Sequence, residues 1–261
     1  MTDPMVNATP LRHSRLKLMG QAPAHYAAAT EQSTGAMAIG SAADLLILGG
    51  GTPLVFPGKT RRGKAWETWR DAQDPDALII TASEMRAAEG MSRAVARHTE
   101  ATALLTGVRQ ETLLWENQGR SCRGTPDVRG NGFLTDLKTG ETSDPRRFPW
   151  KVRGFAYHAQ LAWYRDGVTR CGLPTVRDCY IVAVEQKAPY VVTVFRLTDH
   201  ALDLGDRLNR LWFEQLMVCE ASGRFPGYSD STVELDLPDD SGDAIDIAGT
   251  DGPITGEDDD E

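Results

Sequence analysis

The sequence predicts an α/β protein in which a helical first half is followed by a mixed sheet flanked by helices. Apolar residues recur at helical spacing as far as Leu105, and strand-like alternation begins directly afterwards. Two strongly apolar segments, DCYIVAVEQ and YVVTVFRL, then precede a long amphipathic helix. A chain of 261 residues is long enough to bury the core of one large domain.

The first half predicts a series of helices. Residues 11–31 predict two short helices with a break near Gly20, and residues 36–48 predict an apolar helix that ends at the glycines starting with Gly49. A loop with two prolines leads to a basic helix, GKTRRGKAWETWRDA. The segment TASEMRAAEGMSRAVARHTEA predicts the next helix, with Ser83 as its expected N-cap.

The second half predicts short strands at QETLLWEN, RSCRGTPDV and GFLTDLKT, and the sequence RGNG between the last two is typical of a hairpin turn. Residues 153–166 predict a helix on which Tyr157, Gln160 and Tyr164 share one face. After the two apolar strands, a final helix runs through HALDLGDRLNRLWFEQLMVCEAS.

Charge is concentrated at the carboxyl end. The net charge is −9, but the last 26 residues hold 11 acidic side chains and no Lys or Arg, which leaves the rest at +2. This composition predicts a disordered acidic tail that keeps the chain soluble. The alternatives are that the tail competes with nucleic acid for a basic groove or docks a partner. Without a run of about 18 apolar residues, a secretory signal or paired cysteines, we expect a cytoplasmic protein with no membrane contact.

The candidate catalytic and metal-binding residues lie in two neighbouring segments. These are Thr125-Pro126-Asp127 and the following strand with Asp136, Leu137 and Lys138. Strand alternation places Asp136 and Lys138 on one face, and the hairpin folds Asp127 back beside them. Two carboxylates near one ammonium suit Mg²⁺, and water bound to the metal can attack a phosphodiester. The alternative interpretation is a surface hairpin with an ordinary ion pair.

This pattern of PD followed by DLK resembles the signature of PD-(D/E)xK nucleases. CRGTPD, YHAQLAWYRDG, GKTRRGKAWETW, ALIITASEMRAAEGMSRAV and the opening SRLKLMGQAPAHY are similar to segments of the phage exonuclease VIII group. The resemblance covers residues 11–225 and implies a restriction-endonuclease-like core, with a mixed central sheet flanked by helices and a helical N-terminal region. We therefore expect a flexible N-terminus (1–10), one nuclease domain (11–228, with a helical part 11–105 and a catalytic core 106–228) and an acidic tail (229–261).

The resemblance also implies a role for individual residues. Asp127 and Asp136 match the acids that bind metal, and the Leu137 carbonyl is a further expected ligand. Lys138 matches the lysine that orients the attacking water and stabilises the developing charge. Gln160 completes the expected catalytic group, and the expected DNA contacts are Gln160, Tyr164, Arg123 and Thr139.

One expected metal ligand departs from the family pattern. Family members usually carry Gly-x-x-x-His on an early helix, and the matching stretch here is Gly40-Ser41-Ala42-Ala43-Asp44. A carboxylate is also a competent ligand for Mg²⁺ or Mn²⁺, so Asp44 joins the expected metal site. The family glutamate on the strand before PD falls near Gln110 and Glu111, and the register leaves the choice open.

The expected function is a DNA exonuclease that uses Mg²⁺, or Mn²⁺, and acts from the 5′ side on double-stranded ends. The resemblance implies that its products feed a single-strand annealing recombinase in phage-type recombination and that the protein is a homo-oligomer. Two alternatives stay open at this point. One is a structure-specific or nicking endonuclease with the same site, and the other is a DNA-binding or assembly protein whose catalysis is altered.

Overall fold

The computed structural model describes residues 9–30, 35–58, 60–75 and 77–236. Its strands in chain order are β1 Leu11–Arg12, β2 Leu54–Phe56, β3 Ile79–Thr81, β4 Val108–Arg109, β5 Leu113–Asn117, β6 Arg120–Gly124, β7 Val128–Arg129, β8 Phe133–Gly140, β9 Asp178–Glu185 and β10 Val192–Arg196. Its helices are α1 His13–Leu16, α2 Pro23–Ala28, α3 Gly35–Leu48, α4 Gly63–Arg70, α5 Ala82–Arg97, α6 Thr99–Leu104, α7 Phe148–Gly154, α8 Tyr157–Arg170 and α9 Asp199–Ser222, with a 3-10 helix at Lys17–Gly20.

A mixed five-stranded sheet lies at the centre, in the order β10-β9-β8-β7-β4. β8 is its middle strand, and it is parallel to β9 and antiparallel to β7. Parallel strands need covering on both faces, which explains why β9 is apolar along most of its length. The sheet and its helices confirm the predicted α/β class.

Helices pack on both faces of this sheet, and successive residues of β9 contribute to different cores. Ile181 belongs to the core formed with α8 and α9. Val182, the next residue, belongs to the core formed with α3 and α5. Because side chains alternate along a strand, one apolar strand stabilises both layers.

Three short strands outside the central sheet, β1, β2 and β3, were not predicted, whereas β5 and β6 lie within predicted strand segments. β1 pairs in parallel with β6, which also pairs with β5, and β2 pairs in parallel with β3. These three strands have only two or three residues each, which is too little alternation to be recognised locally. Their effect is to attach the N-terminal segment and the proline-containing loop to the body of the fold.

Two helix boundaries differ from the prediction. The N-cap of α5 is Thr81 rather than Ser83, because Thr81 Oγ1 accepts a hydrogen bond from the Glu84 amide (3.3 Å) while the Thr81 amide donates to Glu84 Oε2 (2.6 Å). The helix predicted at 153–166 is two helices, α7 and α8, since Ala156 between them adopts a left-handed conformation (φ +57°).

The chain divides into the units Met1–Gly227 and Tyr228–Glu261. The predicted boundaries of the flexible N-terminus and the acidic tail stay predictions, because residues 1–8 and 237–261 lie outside the described part. Among the described residues, none of the helices combines the length and hydropathy that crossing a bilayer requires.

The contact between α8 and α9 depends on a glycine. A Cβ at Gly205 would lie 2.6 Å from the His158 carbonyl oxygen, so Gly205→Ala must push the two helices apart. We expect it to lower the free energy of unfolding by about 1–3 kcal/mol, measured by urea denaturation. The control is Gly154→Ala in α7, where a Cβ meets nothing within 4 Å and stability should not fall. Equal stability of the two variants would contradict this account of the contact.

Candidate active site

The β7–β8 hairpin brings Asp127, Asp136 and Lys138 together. Val128 pairs with Thr135, so Asp127, one residue before β7, lies opposite Asp136. The Leu137 amide donates a 2.7 Å hydrogen bond to Asp127 Oδ2 and fixes this carboxylate against β8. The Lys138 ammonium forms an ion pair with Asp136. The predicted convergence of two carboxylates and one ammonium is therefore present in the structure.

Burial controls the electrostatics of this group. The Asp136 side chain is only 3% exposed. Burial, followed by repulsion from Asp136, raises the pKa of Asp127 well above its usual range. Burial acts to lower the pKa of Lys138, but attraction from Asp136 and Asp127 outweighs it and the pKa is raised. Lys138 therefore stays charged, and the crowded carboxylates favour an additional positive charge.

Helix α3 carries a third carboxylate that interacts electrostatically with Asp136 and Lys138. A Cβ built on Gly40 would lie 2.9 Å from Thr139 Oγ1, so α3 contacts the end of β8 closely at this glycine. Asp44 follows one turn later. Burial raises the pKa of Asp44 to about 7, with Lys138 opposing and Asp136 reinforcing the shift. Asp44 therefore lies in the electrostatic field of Asp136 and Lys138, at the place where the resemblance puts a histidine.

Helix α8 contributes two polar side chains to the site, Gln160 and Tyr164. Gln160 Nε2 donates a 2.9 Å hydrogen bond to the Tyr164 hydroxyl. Burial and the negative charge of Asp136 raise the pKa of Tyr164, so its hydroxyl keeps its proton. Gln160 and Tyr164 thus share one face of α8, as predicted, and Tyr164 faces the carboxylates.

Two residues near the site were not singled out by the sequence as part of it. Lys138 Nζ lies 4.8 Å from the centroid of the Tyr157 ring, a cation–π distance. Lys17, in the 3-10 helix, has its pKa lowered by burial and by the charge of Lys138. The only sequence signal for Lys17 is a cation within the segment that resembles the family's first helix. Its approach to Lys138 depends on tertiary packing.

The remaining candidates lie further out. Thr139 Oγ1 accepts a 3.2 Å hydrogen bond from Gln186 beside the α3 contact. Arg123 lies on β6, where its guanidinium donates to Thr112 Oγ1 at 3.3 Å. Their DNA contacts stay predictions. Glu111 forms a 2.6 Å ion pair with Arg129. Its charge is therefore paired with a residue other than Asp127, Asp136 or Lys138.

The donor chemistry of the site suits a hard divalent cation. In the described ranges, no three His, Cys, Asp or Glu side chains form a ready-made metal cage. Mg²⁺, however, is commonly held by only one or two carboxylates with water completing its shell. Asp127 and Asp136 provide such a pair, and their mutual repulsion is what a cation between them would relieve. The residues present therefore fit a divalent metal, with Asp44 as a nearby third carboxylate.

Comparisons with known proteins identify the family and the fold. The family model described as a PDDEXK-like domain of unknown function (DUF3799) matches residues 12–235. No curated protein gives a significant match. A structure of a candidate exonuclease from Eubacterium rectale is similar with a TM-score of 0.62 and 13% identity, covering 91% of this chain and 96% of that one.

Two further structures are similar at a lower level. A phage-related exonuclease from Haemophilus somnus 129PT has a TM-score of 0.36 and 12% identity, over 82% of this chain and 98% of that one. An alkaline exonuclease from Laribacter hongkongensis has a TM-score of 0.31 and 14% identity, over 72% and 95%. The Eubacterium rectale structure shows that the mixed α/β fold is shared across nearly the whole chain.

Proposed function

The chain belongs to the PDDEXK-like family DUF3799, and from this membership and the site geometry we propose that it is a metal-dependent nuclease that hydrolyses phosphodiester bonds in DNA. The observation that carries the proposal is the convergence of Asp127, Asp136 and Lys138 at the β7–β8 hairpin. The similar structure from Eubacterium rectale, described as a candidate exonuclease, favours attack at DNA ends.

Within that class, we propose Mg²⁺ as the metal and digestion from the 5′ end of double-stranded DNA. The single strands produced would serve a strand-annealing recombinase in phage-type recombination. We also propose that the working protein is a homo-oligomer. These finer statements rest on the sequence resemblance to the exonuclease VIII group.

The chain's own residues divide the chemical work. A divalent ion, when bound, supplies a Lewis acid and lowers the pKa of water. Asp127 and Asp136 would hold that ion, and the Leu137 amide keeps Asp127 in place through its 2.7 Å hydrogen bond. Lys138 remains protonated and can donate to the attacking water or to the oxygen that gains negative charge.

Side chains of α8 restrict the movement of Lys138 and place a hydroxyl beside the carboxylates. The Tyr157 ring packs against the Lys138 ammonium and limits its positions to those near Asp136. The Tyr164 hydroxyl, held by Gln160, provides a neutral donor beside the carboxylates. A phosphate would therefore meet one cation and one neutral donor from the protein.

Digestion of end-labelled linear DNA and covalently closed circular DNA, with Mg²⁺ or with EDTA, tests the proposal. We expect Mg²⁺-dependent loss of the linear DNA, early release of a 5′ label and an intact circle, since an exonuclease needs an end. Opening of the circle would instead establish an endonuclease. Binding of DNA without cleavage under any divalent metal would contradict the proposed nuclease.

Asp44 should control the metal requirement. Because it adds a carboxylate next to Asp136, Asp44→Asn should raise the Mg²⁺ concentration for half-maximal cleavage by about tenfold or more. Asp44→His should retain part of the activity that Asp44→Asn loses and should shift the metal preference toward Mn²⁺. The measurement is a metal titration of cleavage, supported by calorimetry of metal binding.

The matched control for Asp44 is Ser41→Ala, an exposed position one turn earlier on α3. That variant should leave the metal titration unchanged. If Asp44→Ala also leaves the titration unchanged, Asp44 is no metal ligand, and α3 serves only as a scaffold for β8.

A further inference from the structure

A basic and aromatic surface lies beside the candidate active site, on and around helix α7. Phe148 of this helix is buried and stacks on Phe195 with 4.5 Å between the ring centroids. Lys151, one turn after Phe148, is half-buried and lines a cavity together with Phe148 and with Phe155, the residue after the helix. Trp150 is exposed on another side of the helix, and Arg147 is exposed directly before it. We call these four residues the α7 surface: Arg147, Trp150, Lys151 and Phe155.

The composition of the α7 surface is unusual for a solvent-facing helix. Trp150 is 65% exposed and Phe155 is 52% exposed. Large exposed aromatic side chains indicate a binding function more often than single exposed aliphatic ones do. Within the described ranges, Lys151 forms no salt bridge, so its charge is available to a ligand. Cations interleaved with exposed rings are typical of surfaces that bind single-stranded nucleic acid.

Two residues of the α7 surface, Lys151 and Phe155, share a cavity with the candidate active site. Lys138 and Thr139 of β8 line a cavity of about 370 Å³ together with Lys151, Phe155 and Tyr157. Lys151 Nζ lies 3.6 Å from the position of a Cβ at Gly140, the last residue of β8. This amine therefore lies at the strand end, two residues beyond Lys138.

The aromatic rings extend this connection outward. The Phe155 and Tyr157 rings are nearly parallel, at 16° with 5.5 Å between centroids, and Tyr157 in turn contacts the Lys138 ammonium. Phe155 is the solvent-exposed member of this pair. A strand whose phosphate lies at Lys138 would therefore bring a neighbouring nucleotide to Phe155.

We propose that the α7 surface binds an unpaired DNA strand next to the scissile phosphate, with a base stacked on Phe155 and a backbone phosphate on Lys151. Trp150 provides a second stacking surface further along the strand. An unpaired base can offer its face to a side chain, whereas a base inside a duplex is stacked on its neighbours. The proposal rests on the proposed nuclease function and specifies its substrate as a strand that is single at the point of cleavage.

The test measures strand binding by fluorescence anisotropy, with the full chain, Mg²⁺ and phosphorothioate oligonucleotides that resist hydrolysis. Three ligands of equal length are compared: a single strand, an abasic strand and a blunt duplex. Phe155→Ala and Phe155→Leu should weaken single-strand binding by about 5- to 150-fold, whereas Phe155→Tyr retains it. None of the three variants should change binding of the abasic strand.

Two further variants separate stacking from charge and from general surface effects. Lys151→Ala should weaken binding of the single and abasic strands alike and reduce the salt slope by about 0.7. Leu211→Ala removes a side chain of α9 that is 59% exposed, and it should leave every affinity unchanged.

The outcomes distinguish this inference from the proposed function. If Phe155→Ala binds base-bearing strands as tightly as the parent does, while the parent digests linear DNA, the α7 proposal is wrong and the nuclease stands. If the parent neither binds nor digests DNA, both proposals fail. A change in sedimentation of Phe155→Ala with unchanged strand affinity would identify the α7 surface as a contact between copies of the chain and overturn the proposal.

Discussion

We expect the replacement of Asp136 by Asn to reduce the rate of DNA cleavage by more than about 10³-fold, beyond the loss typical of a single stabilising donor. Asp136 is the most enclosed carboxylate of the site and the ion-pair partner of Lys138, so its loss would remove a proposed metal ligand and release the lysine. Asn keeps the volume of the side chain in this buried position. The chain should therefore stay folded and bind DNA at least as well, because one negative charge near the phosphate is gone.

The measurement is single-turnover cleavage at saturating Mg²⁺, with circular dichroism to check the fold. The control is Asp178→Asn on the neighbouring strand β9, where the carboxylate is exposed and bonded to Arg196 at 3.2 Å. It should cleave at the parental rate, since exposed ion pairs contribute little. Cleavage by Asp136→Asn near the parental rate would remove Asp136 from the active-site assignment.

We expect Lys138→Met to slow the chemical step by about 10²- to 10⁴-fold with no loss of metal affinity. Methionine keeps an apolar stem against Tyr157 but has no charge and no donor for the water or the departing oxygen. Removing a cation beside Asp136 and Asp127 should leave divalent binding unchanged or stronger. Rate and affinity therefore change differently, which separates a role in catalysis from a role in binding metal.

Single-turnover rates and calorimetric metal titrations of Lys138→Met give the two quantities. Lys138→Arg is the informative companion, because it restores the charge with a different shape and should recover only part of the rate. A rate for Lys138→Met within about threefold of the parent would leave Lys138 as a structural partner of Asp136 and no more.

The hairpin residues could be predicted because the information is local. Strand alternation and the RGNG turn are sufficient to place Asp127 opposite Asp136, with Lys138 on the same face. The apolar length of β9 likewise predicted a buried strand, and the buried strand is present. Asp44 was identified through the family pattern alone, since nothing in its own segment indicates that α3 contacts β8.

Features that depend on distant contacts were not predictable. Lys17 is more than 100 residues from Lys138 in sequence, and only packing reveals that the two charges interact. The break at Ala156 was hidden because alanine favours helices, yet this residue takes a left-handed conformation that separates α7 from α8. The sequence prediction therefore placed Phe155 inside one continuous helix, whereas the structure places it between α7 and α8.

The cluster of acidic side chains around β8 also makes the free energy of unfolding depend on pH and on binding of a divalent ion. Because the folded chain raises the pKa of Asp44 from 3.8 to about 7, ionisation of this group opposes folding, and stability in metal-free solution should fall as pH rises across that interval. A divalent ion that binds only the native state reverses this, adding about 2.7 kcal/mol at a hundred times its Kd. A carboxylate proposed to hold the ion therefore lowers stability in its absence, and binding of that ion would restore the stability.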